Sequence, residues 1–389
     1  MADRLANMDE TQRLVLADEW GFTTVGELLP DGADPIILAS SMSDDVRDID
    51  GGTAFTRALA PLALMVSAYA WMWFMHSIIP VWQLVICWIA IGTGYTGLFT
   101  LAHDAARGAL TPSAPRLQEF LGSLIMAPSL YSFQAWRLRF ISHIIFPNVL
   151  GLDDSAWQPV TVEALAGMGS RARQLARLIA TTPLRLLGSL GHCLHSFGGF
   201  DLKEYTPDSR ADILSSWAVP TVFAAAAVSV LVVCGGISAL VSVWLMPLLV
   251  FHVWLSTLTI VQHTAPHIPF KMAGLDYDLG QAAVSGTVTA TLPRWLEYIL
   301  NDANYHLPQH LDPTVPCYHA REATEQLRER LGPYMTEAPL SLKLLANIIT
   351  CWQVYDEESN TYMTFDEAIK LIEEAESAES AESAPAQAA

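Results

Sequence analysis

The chain has 389 residues, of which 52% are hydrophobic and 16% charged, against about 25% charged in ordinary soluble domains; its mean hydropathy is +0.30. That deficit of charge points to long uncharged stretches, and so to a membrane protein rather than two or three soluble domains. The net charge of −19 excludes a nucleic-acid partner, which needs a basic face, and no basic amphipathic arm marks binding to anionic lipid.

Residues 1–53 read as an acidic N-terminal arm on the cytosolic side, with twelve acids from Asp3 to Asp50 against three arginines. Within it, DETQRLVLADEWG predicts a short amphipathic helix ended by Gly21, and LLPDGADP is turn chemistry. The start, MADRLANMDETQRL, has no apolar core behind a basic end and so does not read as a signal peptide; the first span is expected to do the targeting. An uncharged run from Ala58 to about Ile79 and a second from Trp82 to Leu101 each approach the ~20 residues a membrane crossing needs. The very short link around Pro80 makes them a helical hairpin. Leu117 to Phe133 is shorter and broken by Pro128, which predicts a re-entrant or interface-lying segment. Residues 134–214 read as cytosolic, with interface-hugging helices such as RQLARLIATTPLRLLGSLGHCL.

Two further apolar runs, Trp217 to Cys234 and Leu240 to Ile260, flank Gly235-Gly236 and predict a second hairpin. All 21 lysines and arginines fall outside the two hairpin tips. If both hairpins cross and return, every basic residue lies on one side, the cytosolic side, together with both termini. The expected fold is therefore all-α: an integral-membrane, multi-pass bundle of four spans over residues 54–340, with a cytosolic cap bearing the histidines. Residues 341–375 follow as a C-terminal helical segment. The repeat ESAESAESAPAQAA (376–389) is too polar to fold alone and is expected to be disordered. Five scattered cysteines without a Cys-x-x-Cys read as reduced, packed thiols.

The chemistry-bearing residues concentrate in four strings: HDAARG (103–108), WRLRFISHIIFPNVLGLDD (136–154), VQHTAPHIPF (261–270) and NYHLPQHLDPTVPCYHAREAT (304–324). In this order, around two hairpins, they resemble the histidine boxes of membrane fatty acid desaturases, the acyl-lipid omega-6 group in feel. That group carries HDxxH, then WRxxHxxHH, then QHTxPxxPxY, then HxxHHLxPxxPxYxAxEA. The resemblance spans roughly residues 55–335. It implies eight or more imidazoles holding two irons, which use O2 to take hydrogen from an unactivated C–H of a fatty acyl lipid. Neutral imidazole suits that task. It also implies electrons from a separate donor of the cytochrome b5 or ferredoxin type.

Residue by residue, the resemblance assigns His103, His143, His263, His306 and His310 as metal ligands. Four family positions are altered, to Arg107, Phe140, Ile144 and Gln309. Arginine keeps its proton and cannot ligate, and phenylalanine and isoleucine have no lone pair. Gln309 is expected to hydrogen-bond rather than ligate. Asp104, Asn148, Asp153, Asp154, His267, Asp312 and His319 are candidates to complete the site, and Arg107 is expected to pair with Asp153, Asp154 or Asp312. His192, His195 and His252 read as packing residues, and His76 as a solvated hairpin-tip residue. The leading function is a desaturase-like non-haem iron oxidoreductase. The alternatives are a catalytically degenerate relative acting as a lipid-binding or regulatory subunit, or a hydroxylase of a non-lipid substrate.

Overall fold

Apolar runs dictate the scaffold, because a long uncharged stretch satisfies its own backbone polar groups only as a helix. The computed structural model describes residues 8, 10–151, 157–198, 202–272, 274 and 277–383, and they are mostly helical. Helix α1 (Glu10–Trp20) opens the chain and stops before Gly21. Helices α2 (Gly51–Phe74) and α3 (Val81–Arg107) follow, with Asp50 capping α2 through the Gly52 and Thr53 amides. The expected interface segment forms α4 (Pro115–Met126), which leaves Leu117, Phe120 and Leu124 exposed. Helix α5 (Phe133–Ile145) is capped by Ser132. Farther on, α6 (Ala218–Ala239) leads through a π-helical turn (Leu240–Leu245) into α7 (Met246–His263).

By length and composition, two helical stretches among the described residues qualify to cross a membrane: Val81–Arg107 and the 57-residue run Pro207–His263. As one rod, the second would be ~86 Å long at 1.5 Å per residue. The chain instead folds back on itself, since the Phe223 and Trp244 rings are 5.7 Å apart. The break falls at Gly236, whose φ of 69° lies in the left-handed region that glycine tolerates, where the glycine pair predicts a turn.

Helix α3 is the central element. It packs along α2, where Trp71 Nε1 donates to Gln83 Oε1 at 3.0 Å. It also packs along α7, where Trp254 Nε1 donates to Thr93 Oγ1 at 2.8 Å and Phe251 sits 4.9 Å from both Tyr95 and Phe99. A further contact is with the Arg294–Ile299 helix, and it is very close: a Cβ built on Gly97 would lie 1.9 Å from the Ile299 carbonyl oxygen.

The polar cap is not purely helical. Short parallel pairs join Val149–Leu150 to Lys271–Met272 and Val288–Thr291 to Thr336–Pro339, and a three-stranded sheet links Val160–Thr161, Val354–Asp356 and Thr361–Met363. The acidic N-terminal segment is built into this cap. Leu16, Phe22 and Val25 are buried with Ile260, Leu344, Ile348 and Trp352, and Thr23 and Thr24 donate to the Glu337 carbonyl at 2.8 and 3.1 Å. Acidity sets only the outer face of α1; its apolar residues are free to dock. Beyond residue 341 lie α10 (Leu342–Thr350), a hairpin and α11 (Phe365–Ser383). Helix α11 continues through residue 383, inside the stretch expected to be disordered, while 384–389 lie outside the described residues. Helices α8 (Leu307–Leu311) and α9 (Cys317–Leu331) belong to the histidine site.

Two glycine substitutions separate close packing from loose. Gly97→Val is expected to cost about 1–3 kcal/mol or more by overpacking and to lower the thermal unfolding midpoint in detergent. Gly191→Ala, in a helix where an added Cβ meets nothing within 4 Å, is expected to leave that midpoint level or raise it.

Candidate metal site

Three elements deliver four imidazoles to one point. His143 comes from α5 and His263 from the last residue of α7. His306 is the N-cap of α8 (Leu307–Leu311) and His310 its fourth residue, four positions apart across a single turn. The turn before them is unusual: Asn301 and Asp302 both take positive φ, 55° and 54°, which Asn and Asp tolerate better than most residues. That turn is held on every side. Asn301 Nδ2 donates to the Gly97 carbonyl at 2.8 Å, Thr100 Oγ1 to the Leu300 carbonyl at 3.0 Å, and Gln262 Nε2 to the Ala303 carbonyl at 2.7 Å. Arg57 and Arg294 meet the buried Asp302 carboxylate at 3.1 and 2.6 Å. The α2–α3 hairpin and α7 thus fix where His306 begins.

The ligand atoms of His143, His263, His306 and His310 all lie within 4.8 Å of one another, and all four residues are buried. His306 and His310 ring centroids are 4.4 Å apart, and His143 and His263 4.8 Å. Burial, then the neighbouring imidazoles, pushes the His306 pKa well below its ordinary value. Burial, then His143, does the same for His310, against the opposing pull of the Ile144 carbonyl. Both rings are therefore neutral, with a lone pair to offer. Carbonyls decide which nitrogen offers it. The Ile144 carbonyl, 3.3 Å away, requires His310 Nδ1 to carry the proton. The Gly286 carbonyl at 3.2 Å requires the same of His263 Nδ1, which also lies 3.1 Å from Asn148 Oδ1. His310 Nε2 is buried without a hydrogen-bond partner, and His143 Nε2 and His306 Nε2 face each other at 3.1 Å. Two imidazole nitrogens bonded at ~2.1 Å to one ion lie at most ~4.2 Å apart, and the four histidines are gathered close to that spacing, as a site for one transition-metal ion.

They do not fit two. His103 lies outside the group. It lines the same narrow cavity as His143, His263, His306 and Gln309, but its ring is packed among Phe140 at 4.6 Å, Phe99 at 5.0 Å and Trp136 at 5.1 Å. Arg107 does not pair with Asp312, which is held by Arg47 at 2.7 Å. It pairs instead with Asp104, one helical turn back, with both side chains buried. Asp153 and Asp154, its other expected partners and candidates for the site, lie outside the described residues.

The remaining candidates fall elsewhere or serve the rings indirectly. Asn148 contacts His263 at Nδ1 and so orients the ring. His267 bonds Thr336 Oγ1 at 2.8 Å and stacks on Trp20 in the cap core. His319 lies 3.8 Å from Glu322 at the surface. His252 meets Ser189 Oγ at 3.0 Å, a packing role as expected, and His76 is exposed at its hairpin tip. The sequence reading missed the carbonyls of Ile144 and Gly286, which set the tautomers. A lone glycine between Ser285 and the β-branched string Thr287, Val288, Thr289 was the available signal.

Fold and site together define a helical protein with a buried imidazole cluster at one end of long apolar helices. Similarity narrows the class. The fatty acid desaturase profile matches residues 80–338. The chain is 32% identical over 362 residues to a chloroplastic omega-6 fatty acid desaturase of Spinacia oleracea, covering 93% of this chain and 78% of that one. It is 33% identical over 348 residues to the chloroplastic omega-6 fatty acid desaturase of Glycine max, covering 90% and 80%. It is 35% identical over 293 residues to the sn-1 oleoyl-lipid 12-desaturase of Synechocystis, covering 75% and 82%. The chain belongs to the fatty acid desaturase family.

Hydrogen bonds to the far side of a ligand ring set its orientation and basicity, and losing one typically costs 10–100-fold in metal affinity. Asn148 has a φ of 60°, so glycine removes its side chain without backbone strain. Asn148→Gly is expected to weaken ferrous-ion binding by about 10–100-fold, read by competition with a chromophoric chelator.

Proposed function

We propose that this protein is a desaturase-type oxidoreductase acting on a fatty acyl lipid, with His143, His263, His306 and His310 as its metal-binding residues. The observation that supports it most is the cavity that His143, His263 and His306 line. Its walls also include Phe99, Trp136, Leu255 and Leu258, apolar surface suited to a hydrocarbon chain. The Synechocystis relative is named for an oleoyl lipid, and an acyl chain of that kind is the proposed substrate here. Iron, when bound, supplies the oxidising chemistry toward C–H bonds. Desaturation removes two hydrogens from the chain and, with two electrons and two protons from outside, reduces O2 to two waters. A separate donor of the cytochrome b5 or ferredoxin type fills that role. The protein's own part is to hold the chain against the apolar walls of the cavity and to keep the imidazoles oriented.

The second reading, a lipid-binding or regulatory relative without redox activity, is favoured by Arg107, Phe140 and Ile144 at family ligand positions. Expression in a host that makes oleate separates the two. New dienoic acid seen by gas chromatography, and lost with His310→Ala, supports the oxidoreductase. Unchanged fatty acids with a cognate electron donor present would leave the non-catalytic reading.

In the proposed topology the α2–α3 and α6–α7 hairpins each cross the bilayer, and the histidine cap and both termini lie in the cytosol. The second hairpin carries exposed Cys234 and Ser238, while Cys351 is exposed on the cap. A membrane-impermeant maleimide applied to intact cells should label Ser238→Cys and spare Cys351 until the membrane is opened. Labelling of Cys351 in intact cells would overturn the orientation.

A further inference from the structure

We propose that the centre is mononuclear, and that the place of the family's second ion is taken by the chain's own Arg107–Asp104 ion pair and the packing of His103 against Phe140 and Trp136. This rests on the metal-binding reading above and goes beyond it. Four ligand atoms within 4.8 Å enclose one ion, and a second would need donors of its own. Three of the four altered family positions have been put to another use, and His103 Nε2 is left among aromatic rings, apart from the four clustered ligands. The Arg107 side chain is wholly buried; besides pairing with Asp104, its Nη1 donates to the carbonyls of Pro313 at 2.6 Å and Val315 at 2.9 Å. Asp104 spends its other oxygen on the Cys317 amide at 2.9 Å, so neither carboxylate oxygen is open to a cation. The guanidinium keeps its proton and offers no lone pair, so this position holds a closed ion pair in place of a ligand.

The other two positions tell the same story. Phe140 packs its ring against His103 at 4.6 Å and offers no lone pair. Ile144 contributes only its carbonyl, and that goes to His310 Nδ1, on the side of the ring turned away from the cluster. Gln309 lines the cavity but stands alone there as a replacement ligand. Arg107 also acquires a task no imidazole could perform. It ties the end of α3 to residues 313–317, the segment joining α8 to α9, and so steadies α8, which carries His306 and His310. Arg107 is thus a positioning residue.

The test uses the full chain in detergent, loaded anaerobically with ferrous iron, desalted and assayed for iron and protein. One ion per chain is expected in the wild type and equally in His103→Ala, with loss of the ion in His310→Ala. Two ions per chain in the wild type would overturn the mononuclear centre while leaving the metal-binding reading intact. Absence of iron would overturn both. Loss of the ion in His103→Ala would also overturn the proposal, because it would make His103 a ligand. A titration of the wild type with Co2+ reads the same quantity without any variant: its ligand-field absorption should saturate at one equivalent, and a second equivalent of signal growth counts against the idea.

Discussion

Four buried imidazoles held together away from water are the constraint around which the rest of the molecule is arranged. A buried polar ring costs free energy unless its nitrogens find partners. Protein carbonyls serve the Nδ1 side of His263 and His310, which leaves the Nε2 lone pairs directed inward. The rings come from α5, α7 and α8, so the cluster exists only while those elements keep their mutual placement. Helix α3 provides it: Gly97 admits the Ile299 carbonyl, and the next turn is pinned back onto the Gly97 carbonyl through Asn301. A small residue on an apolar helix thereby controls the position of a polar site.

The neighbouring half of the cavity shows the same scaffold carrying different chemistry. His103 is held by aromatic rings, and the buried Arg107–Asp104 pair cross-links helix to loop. A buried ion pair often adds little net stability over apolar residues of the same shape, yet removing one partner alone is costly. Its value here lies in specifying one geometry, since each charged group also binds backbone atoms of residues 313–317. The two halves of the cavity therefore differ in kind: one presents lone pairs, the other a fixed cation already neutralised.

The acidic ends of the chain bear on the site from outside. Leu16, Phe22, Trp352 and Tyr355 close one apolar cluster over Ile260 and Val261, directly below His263. His267, just past the end of α7, is drawn into that cluster by stacking on Trp20 and is lost to the imidazole group. Residues from 16–25 and 344–355 thus clamp the C-terminal end of α7.

Much of this was legible in the sequence, for local reasons. Uncharged runs and the Gly235-Gly236 pair located the long helices and the fold-back, because backbone satisfaction and glycine's freedom act over a few residues. The spacing of His306 and His310 put them on one helical face, and the order of the histidine strings marked the family. Tertiary structure alone decided which imidazoles converge. His143, His263, His306 and His310 meet, while His103 and His267 do not, although all six lie in matching strings. Arg107 chose Asp104, three residues away, over Asp312, because helix geometry sets those two charges side by side, whereas Asp312 was already committed to Arg47. Pairings across hundreds of residues depend on how helices seat against one another, and that register is set by close contacts such as Gly97 on Ile299, which leave no periodic trace in the chain.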